Sequence, residues 1–186
     1  AYTKQVKAAA ILNTAFDTSV TYGDNVSLVN ASHPLVSGGV NSNTLGDVDL
    51  NETSLENAVI QIGKWTDERG LLISARPKKL IIPSDLQFTA TRLLETEGRV
   101  GTADNDINTI SNNGVVPEGY TINHYLTDTG NWFLTTDIPN GLKHFTRAKM
   151  TTGMDADFDT GNSRYKARER YSFGVSDPLA IAGAGS

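Results

Sequence analysis

Helical periodicity and strand alternation occupy different halves of this chain, and that segregation limits the folds open to it. In the first half, Ala8, Ile11, Leu12, Ala15 and Phe16 recur at spacings of three and four, predicting a helix over about Thr3 to Phe16. Thr53-Ser54-Leu55-Glu56 reads as a capping box. It opens a second helix with Leu55, Ala58, Val59, Ile62 and Trp65 on its buried stripe and Gly70 as its stop. Short strands are expected at Leu71–Ser74 and Lys79–Ile82. Pro83-Ser84-Asp85 then caps a third helix with Leu86, Ala90, Leu93 and Leu94 facing inward and Gly98 ending it. After a polar stretch from Gly101 to Gly119 the pattern changes. Tyr120–Leu126, Trp132–Thr136, Lys143–Met150 and Arg164–Phe173 alternate or are rich in aromatic and β-branched residues, so they read as strands. The expected class is α+β.

Asp17 to Asn51 breaks this order. Turn formers crowd it, including Tyr22-Gly23-Asp24-Asn25, Ser32-His33-Pro34 and Asn41-Ser42-Asn43, which predicts a long loop with one short strand near Val26–Val29. Loops of that length in a compact domain usually serve function or partner contact. The chain begins at Ala1 directly in a helical pattern. The expectation is that an upstream segment has been removed, with a naturally short N-terminus as the alternative.

Composition narrows the chemistry. The 186 residues suit one domain or two lobes sharing a core. Lys+Arg 16 against Asp+Glu 21 leaves a net charge of −5, which argues against a protein whose main task is gripping nucleic acid. With no cysteine, disulfides, thiolate zinc sites and cysteine nucleophiles are excluded. Apolar runs such as Leu80-Ile81-Ile82 are far shorter than the roughly 20 residues of a membrane span. His33, His124 and His144 show no metal-ligand spacing, and no glycine-rich phosphate loop or nucleophile elbow is present. His124 and His144, in predicted strands, are expected to be partly buried. Asp155, Asp157 and Asp159 resemble the start of a calcium loop, but Thr160 stands where glycine is needed and Lys166 where a bidentate glutamate is needed. A solvated hairpin tip accounts for these aspartates. No cofactor, metal or catalytic residue is expected.

The segment Arg164 to Tyr171 carries the most telling pattern. In a strand, alternate side chains share a face, so Arg164, Lys166, Arg168 and Arg170 line one side. Between Lys143 and Phe173 there are seven basic and four acidic residues, a net +3, so the rest of the chain carries −8. Such a row is either a charged edge that discourages aggregation or an electrostatic contact to an acidic neighbour. The second reading makes these four residues candidate inter-subunit contacts. A β-rich carbohydrate- or protein-binding module and a hydrolase remain alternatives. An exposed shelf of Trp132, Phe133 and Tyr165 would favour the first. A histidine converging with a carboxylate in a pocket would favour the second.

The order of motifs resembles the C-terminal two-thirds of tailed-bacteriophage major capsid proteins, in particular the major head subunit of Mu-like phages. The resemblance runs from Ala15-Phe16 through Tyr22-Gly23-Asp24, His33-Pro34-Leu35, Gly38-Gly39, Leu55-Glu56-Asn57-Ala58 and Thr66-Asp67-Glu68-Arg69-Gly70. It continues through the strand-to-helix passage Pro77 to Leu94, Tyr125-Leu126-Thr127-Asp128, Trp132-Phe133-Leu134 and Lys166 to Gly174. It implies the Hong Kong phage-type capsid fold, with a peripheral domain of a long helix plus sheet and an inserted axial domain. Residues 1–50 and 149–186 would be peripheral and 51–148 axial. The N-terminal arm and extended loop of that family lie outside this sequence. The resemblance further implies a structural, non-enzymatic subunit of an icosahedral head, assembling with copies of itself into hexamers and pentamers around double-stranded DNA. Scaffolding or decoration proteins would be further partners, and the virion shell its location, with the host cytoplasm during assembly. An acidic chain suits a wall that must not bind packaged DNA tightly.

Overall fold

The computed structural model describes residues 2–99, 106–156 and 161–185. Its elements run α1 (Tyr2–Asn13), β1 (His33–Pro34), β2 (Val40–Asn41), α2 (Glu52–Ile62), β3 (Pro77–Ile82), a 3-10 turn (Ser84–Leu86) and α3 (Gln87–Leu94). They continue with α4 (Thr109–Asn112), β4 (Tyr120–Ile122), β5 (Trp132–Thr136), β6 (Leu142–Ala156), β7 (Ser163–Val175), a 3-10 turn (Pro178–Ala180) and β8 (Ile181–Ala184). Helix and sheet mix as the segregated patterns predict.

The body is a four-stranded sheet in the order β4-β3-β5-β8, with β3 and β4 parallel and the other pairs antiparallel. The runs Leu80-Ile81-Ile82 and Trp132-Phe133-Leu134 are apolar without interruption because both faces of this sheet are covered. Leu80, Ile82, Trp132, Leu134, Ala182 and Ala184 pack with Leu55, Ala58, Ile62, Trp65 and Ala90. Phe133 and Ile181 turn the other way, against Leu12 and Ala15 of the α1 segment and Leu28 and Val29 of the long loop. The sheet is therefore sandwiched between α2/α3 on one side and α1 with the loop on the other. Gly183 makes the second packing possible, since a Cβ there would lie 2.8 Å from Val29 Cγ2 and 3.0 Å from Phe133 Cδ1.

Several local expectations are corrected. The cap of α2 is Asn51, whose side chain accepts from Ser54 N–H while the Ser54 hydroxyl accepts from Asn51 N–H. This box sits two residues before the expected Thr53, because Asn51 follows the buried Leu50 and has the extended conformation that a cap needs. The helix stops at Gly63 rather than Gly70, with Lys64 and Trp65 N–H groups turning to carbonyls three residues back. Trp65 is still buried, and its indole N–H donates to Ser42 O at 2.8 Å.

Leu71–Ser74 is irregular chain that makes a single antiparallel bridge, Thr66 with Leu72, across a turn in which the Asp67 carboxylate accepts from Arg69 and Leu71 N–H, and both Leu71 and Leu72 are exposed. Val26–Val29 is coil, buried from Ser27 onward and bonded to the α1 segment through Val29 N–H to Ala15 O. α3 ends at Leu94, before Gly98, with Ala90 buried and Leu86, Leu93 and Leu94 packed on the core as expected. The polar stretch 101–119 contains α4, capped by Asn108 and anchored by buried Ile110, while residues 101–105 lie outside the described residues. His124 and His144 are both exposed, the first because β4 ends at Ile122. β1, β2 and β8 are the strands that sequence reading omits, the last because its Ala/Gly composition carries no strand signature.

The expected boundary between residues 148 and 149 falls within β6, and β8 from the last segment pairs with β5.

Candidate functional site: an exposed cationic ribbon

Among the described residues β6 and β7 pair only with each other, as a long antiparallel ribbon. The strand expected at Arg164–Phe173 is present, and β7 extends it to Ser163–Val175. Its partner extends through Ala156, six residues beyond the expected Met150. Two register shifts, between Thr146 and Ala148 and between Ala148 and Thr151, place extra residues in β6 and locally increase twist.

The two faces differ chemically. On one, His144, Tyr171 and Phe173 form an aromatic cluster near the root, with His144 stacked on Phe173 at 4.8 Å between ring centres. α1 covers this end: the Lys4 and Lys7 ammonium groups lie 5.2 and 5.3 Å from the Tyr171 ring centre, and Lys4 pairs with Glu169. Farther out, the Tyr165–Met154 cross-strand pair stands in solvent, with Tyr165 78% exposed.

The opposite face holds the predicted row. Arg164, Lys166, Arg168 and Arg170 alternate along β7, opposite Asp155, Gly153, Thr151 and Ala148, and all four are exposed. Among the described residues Lys166, Arg168 and Arg170 have no ion-pair partner. Glu169 cannot neutralise them, because alternation puts it on the α1 side. Asp155 belongs to β6, while Asp157 and Asp159 of the acidic run lie outside the described residues. Among the described residues no group of histidines and carboxylates could hold a metal, and no helix is long and apolar enough to cross a membrane.

The structure does bring one histidine to a carboxylate. His33, nearly buried, contacts Asp24 through Nδ1 at 2.5 Å and Asn43 Oδ1 through Nε2 at 3.0 Å, beside a cleft of about 730 Å³. Both ring nitrogens are consumed by these internal bonds, so neither faces the cleft as a base would have to. Sequence reading places His33 in a loop and gives no sign of this contact, because its partners lie 9 and 10 residues away in irregular backbone. Of the three aromatic residues expected for a binding shelf, Trp132 and Phe133 are fully buried and Tyr165 is exposed.

Against known proteins, a family model described as phage capsid protein matches residues 2–184. No curated protein matches the chain. Among solved structures, the chain is similar to the virus-like particle from Pyrococcus furiosus, at 13% identity and a TM-score of 0.45, with 75% of this chain and 55% of that chain covered. The chain thus spans little more than half the length of that solved protein.

Proposed function

The chain belongs to the phage capsid protein family, and from that premise we propose that it is a shell-forming subunit of a tailed-phage head. Membership in the family makes it a structural virion protein. The finer reading is that copies assemble into hexamers and pentamers of an icosahedral shell around double-stranded DNA, as in the heads of Mu-like phages. In this reading residues 51–148 supply the axial part and residues 1–50 and 149–186 the peripheral part, with β8 joining the two through the shared sheet.

The observation that carries the proposal is the ribbon. A two-stranded ribbon is marginally stable in water by itself, and this one leaves a cationic face and an apolar pair uncovered. A neighbouring copy offers the complement, since the chain outside the ribbon carries −8. Arg164, Lys166, Arg168 and Arg170 are assigned to that contact. Exposed ion pairs are worth about 0–1 kcal/mol each, but repetition over a lattice multiplies small terms.

The test is assembly of the parent and of an Arg168→Glu/Arg170→Glu double variant, followed by sedimentation and electron microscopy at low and moderate salt. The parent should form salt-sensitive oligomers or shells, and the variant should melt like the parent but assemble poorly. Equal assembly by both proteins across the salt range would reduce the row to a solvated edge.

A further inference from the structure

The buried Asp24–His33–Asn43 chain has a hydrogen-bond pattern that fixes where its protons lie. Asn43 Nδ2 lies 2.7 Å from Leu28 O, 2.9 Å from Pro178 O and 3.1 Å from Ile181 O, three carbonyls that can only accept. Asn43 Oδ1 lies 2.8 Å from the backbone N–H of Asn30, which can only donate. Flipping the amide would set oxygen against three oxygens and a donor against a donor, so its orientation is forced. His33 Nε2, 3.0 Å from Asn43 Oδ1, must therefore carry a proton.

A neutral ring would then present a bare Nδ1 to Asp24 Oδ2 at 2.5 Å, lone pair against lone pair. A second proton has to sit between them. Imidazole is intrinsically more basic than an aspartate carboxylate by about 2.6 pKa units. The Asp24 side chain keeps 22% of its surface in solvent, and its Oδ1 accepts Val26 N–H, both of which favour a carboxylate. Around the cleft stand Tyr22 and Asp24 from the same loop, Asp67 and Glu68 from the turn after α2, Asp137 after β5 and Asp177 after β7, with no lysine or arginine among the described lining residues. That surrounding favours a cation on the ring.

We infer that His33 is held as an imidazolium and that this extra proton clasps the 22–33 loop to the root of the β6–β7 ribbon. The connection is direct. Asn43, oriented by His33 and Asn30, holds the carbonyls of Pro178, in the 3-10 turn after β7, and of Ile181, the first residue of β8. Removing the Nδ1 proton sets a lone pair against the carboxylate, so the loop must move away and Asn43 loses its steady partner. The stabilisation is present while the ring is doubly protonated and is lost as pH rises and that proton leaves.

Two measurements test this. In ¹⁵N-labelled protein near neutral pH, both ring nitrogens of His33 should resonate as protonated. Amide exchange at Asn30, corrected for intrinsic rate, should lose protection by about tenfold per pH unit above that titration, the slope of a single proton, with Leu134 in β5 as the unaffected control. In Asp24→Asn, the new amide can donate to a neutral Nδ1 while its oxygen still accepts Val26 N–H, so Asn30 protection should no longer depend on pH. A singly protonated His33 ring beside a protonated Asp24 overturns the inference, as does an unchanged pH dependence in Asp24→Asn. If that variant fails to fold, the ring-nitrogen spectrum of the parent decides alone.

Discussion

The body sheet and the β6–β7 ribbon are both made of extended chain, yet they resolve the needs of a strand in opposite ways. β5 packs Trp132, Phe133 and Leu134 successively onto two covered faces, and all three are fully buried. β7 places Arg164 to Arg168 successively into solvent, and only its root, from Glu169 onward, touches α1. Burial stabilises the first by about 25 cal/mol for each Å² of apolar surface removed from water. Beyond its root, the second has ladder hydrogen bonds and cross-strand pairs, the pairs each worth about 0.2–1 kcal/mol. The fold is therefore decided in the body, and the ribbon is left free to answer to whatever lies outside the subunit. Substitutions in the two regions should differ in kind, with folding reading out one and association the other.

The largest expected effect tests the body. Trp132 is fully buried and its indole N–H donates to Val48 O at 2.9 Å, so Trp132→Ala should cost about 3–5 kcal/mol. Trp65→Ala, which leaves Ser42 O only the Gln61 Nε2 donor at 3.3 Å, should cost about 3 kcal/mol or more. Chemical denaturation measures both, and a Trp132 variant that unfolds at the parental midpoint would break the comparison at its stronger end.

Gly183 sharpens it. Both sheet faces are filled, and the missing side chain admits Val29 and Phe133 to within 2.8 and 3.0 Å of where a Cβ would be. Gly183→Ala should cost about 1–3 kcal/mol through overpacking. An equal change at Gly153 in the ribbon meets only the flexible Lys166 stem, at 3.2 Å, and should cost far less. Equal melting losses for the two variants would mean that the ribbon is packed as tightly as the sheet.

A smaller effect locates the start of α2. Asn51→Ala should cost about 1 kcal/mol, since it deletes the acceptor for Ser54 N–H. Thr53→Ala should stay within about 0.5 kcal/mol, because the exposed Thr53 is not the cap. The reverse ranking in thermal melts would restore the cap expected from the Thr53-to-Glu56 spacing.

What could be read in the sequence follows from where the information is local. The strand Trp132–Thr136 is legible to the residue, because five consecutive aromatic, aliphatic and β-branched side chains have one good use. The cationic face of β7 is legible because alternation needs only the strand itself. The stop of α2 is not legible, because Gly63 and Gly70 offer the same local signal and the bond from Trp65 to Ser42 O just beyond Gly63 is a tertiary contact. β8 is not legible, because Gly183 within Ile181-Ala182-Gly183-Ala184 is set by closeness to Val29 and Phe133, a tertiary demand that contradicts strand propensity. The Asp24–His33–Asn43 chain lies in irregular backbone, where no period marks it.

The smallest monomer effect belongs to the far end of the ribbon. Tyr165 and Met154 face each other across the strands and are 78% and 68% exposed, so neither contributes much burial to the isolated subunit. Tyr165→Ser and Met154→Ser should each shift stability by no more than about 0.5 kcal/mol. In an assembly the same pair would be desolvated against a neighbour, where burying a large apolar side chain is worth about 1.5–3 kcal/mol. The double variant should therefore melt as a monomer like the parent yet need higher protein concentration to associate, with little dependence on salt. Arg168→Glu/Arg170→Glu should instead weaken association most at low salt, where charge is least screened. Sedimentation of the two double variants across a salt series separates the faces: a Tyr165/Met154 variant that associates like the parent leaves the cationic face alone in contact, and one that loses monomer stability makes this end of the ribbon part of the core.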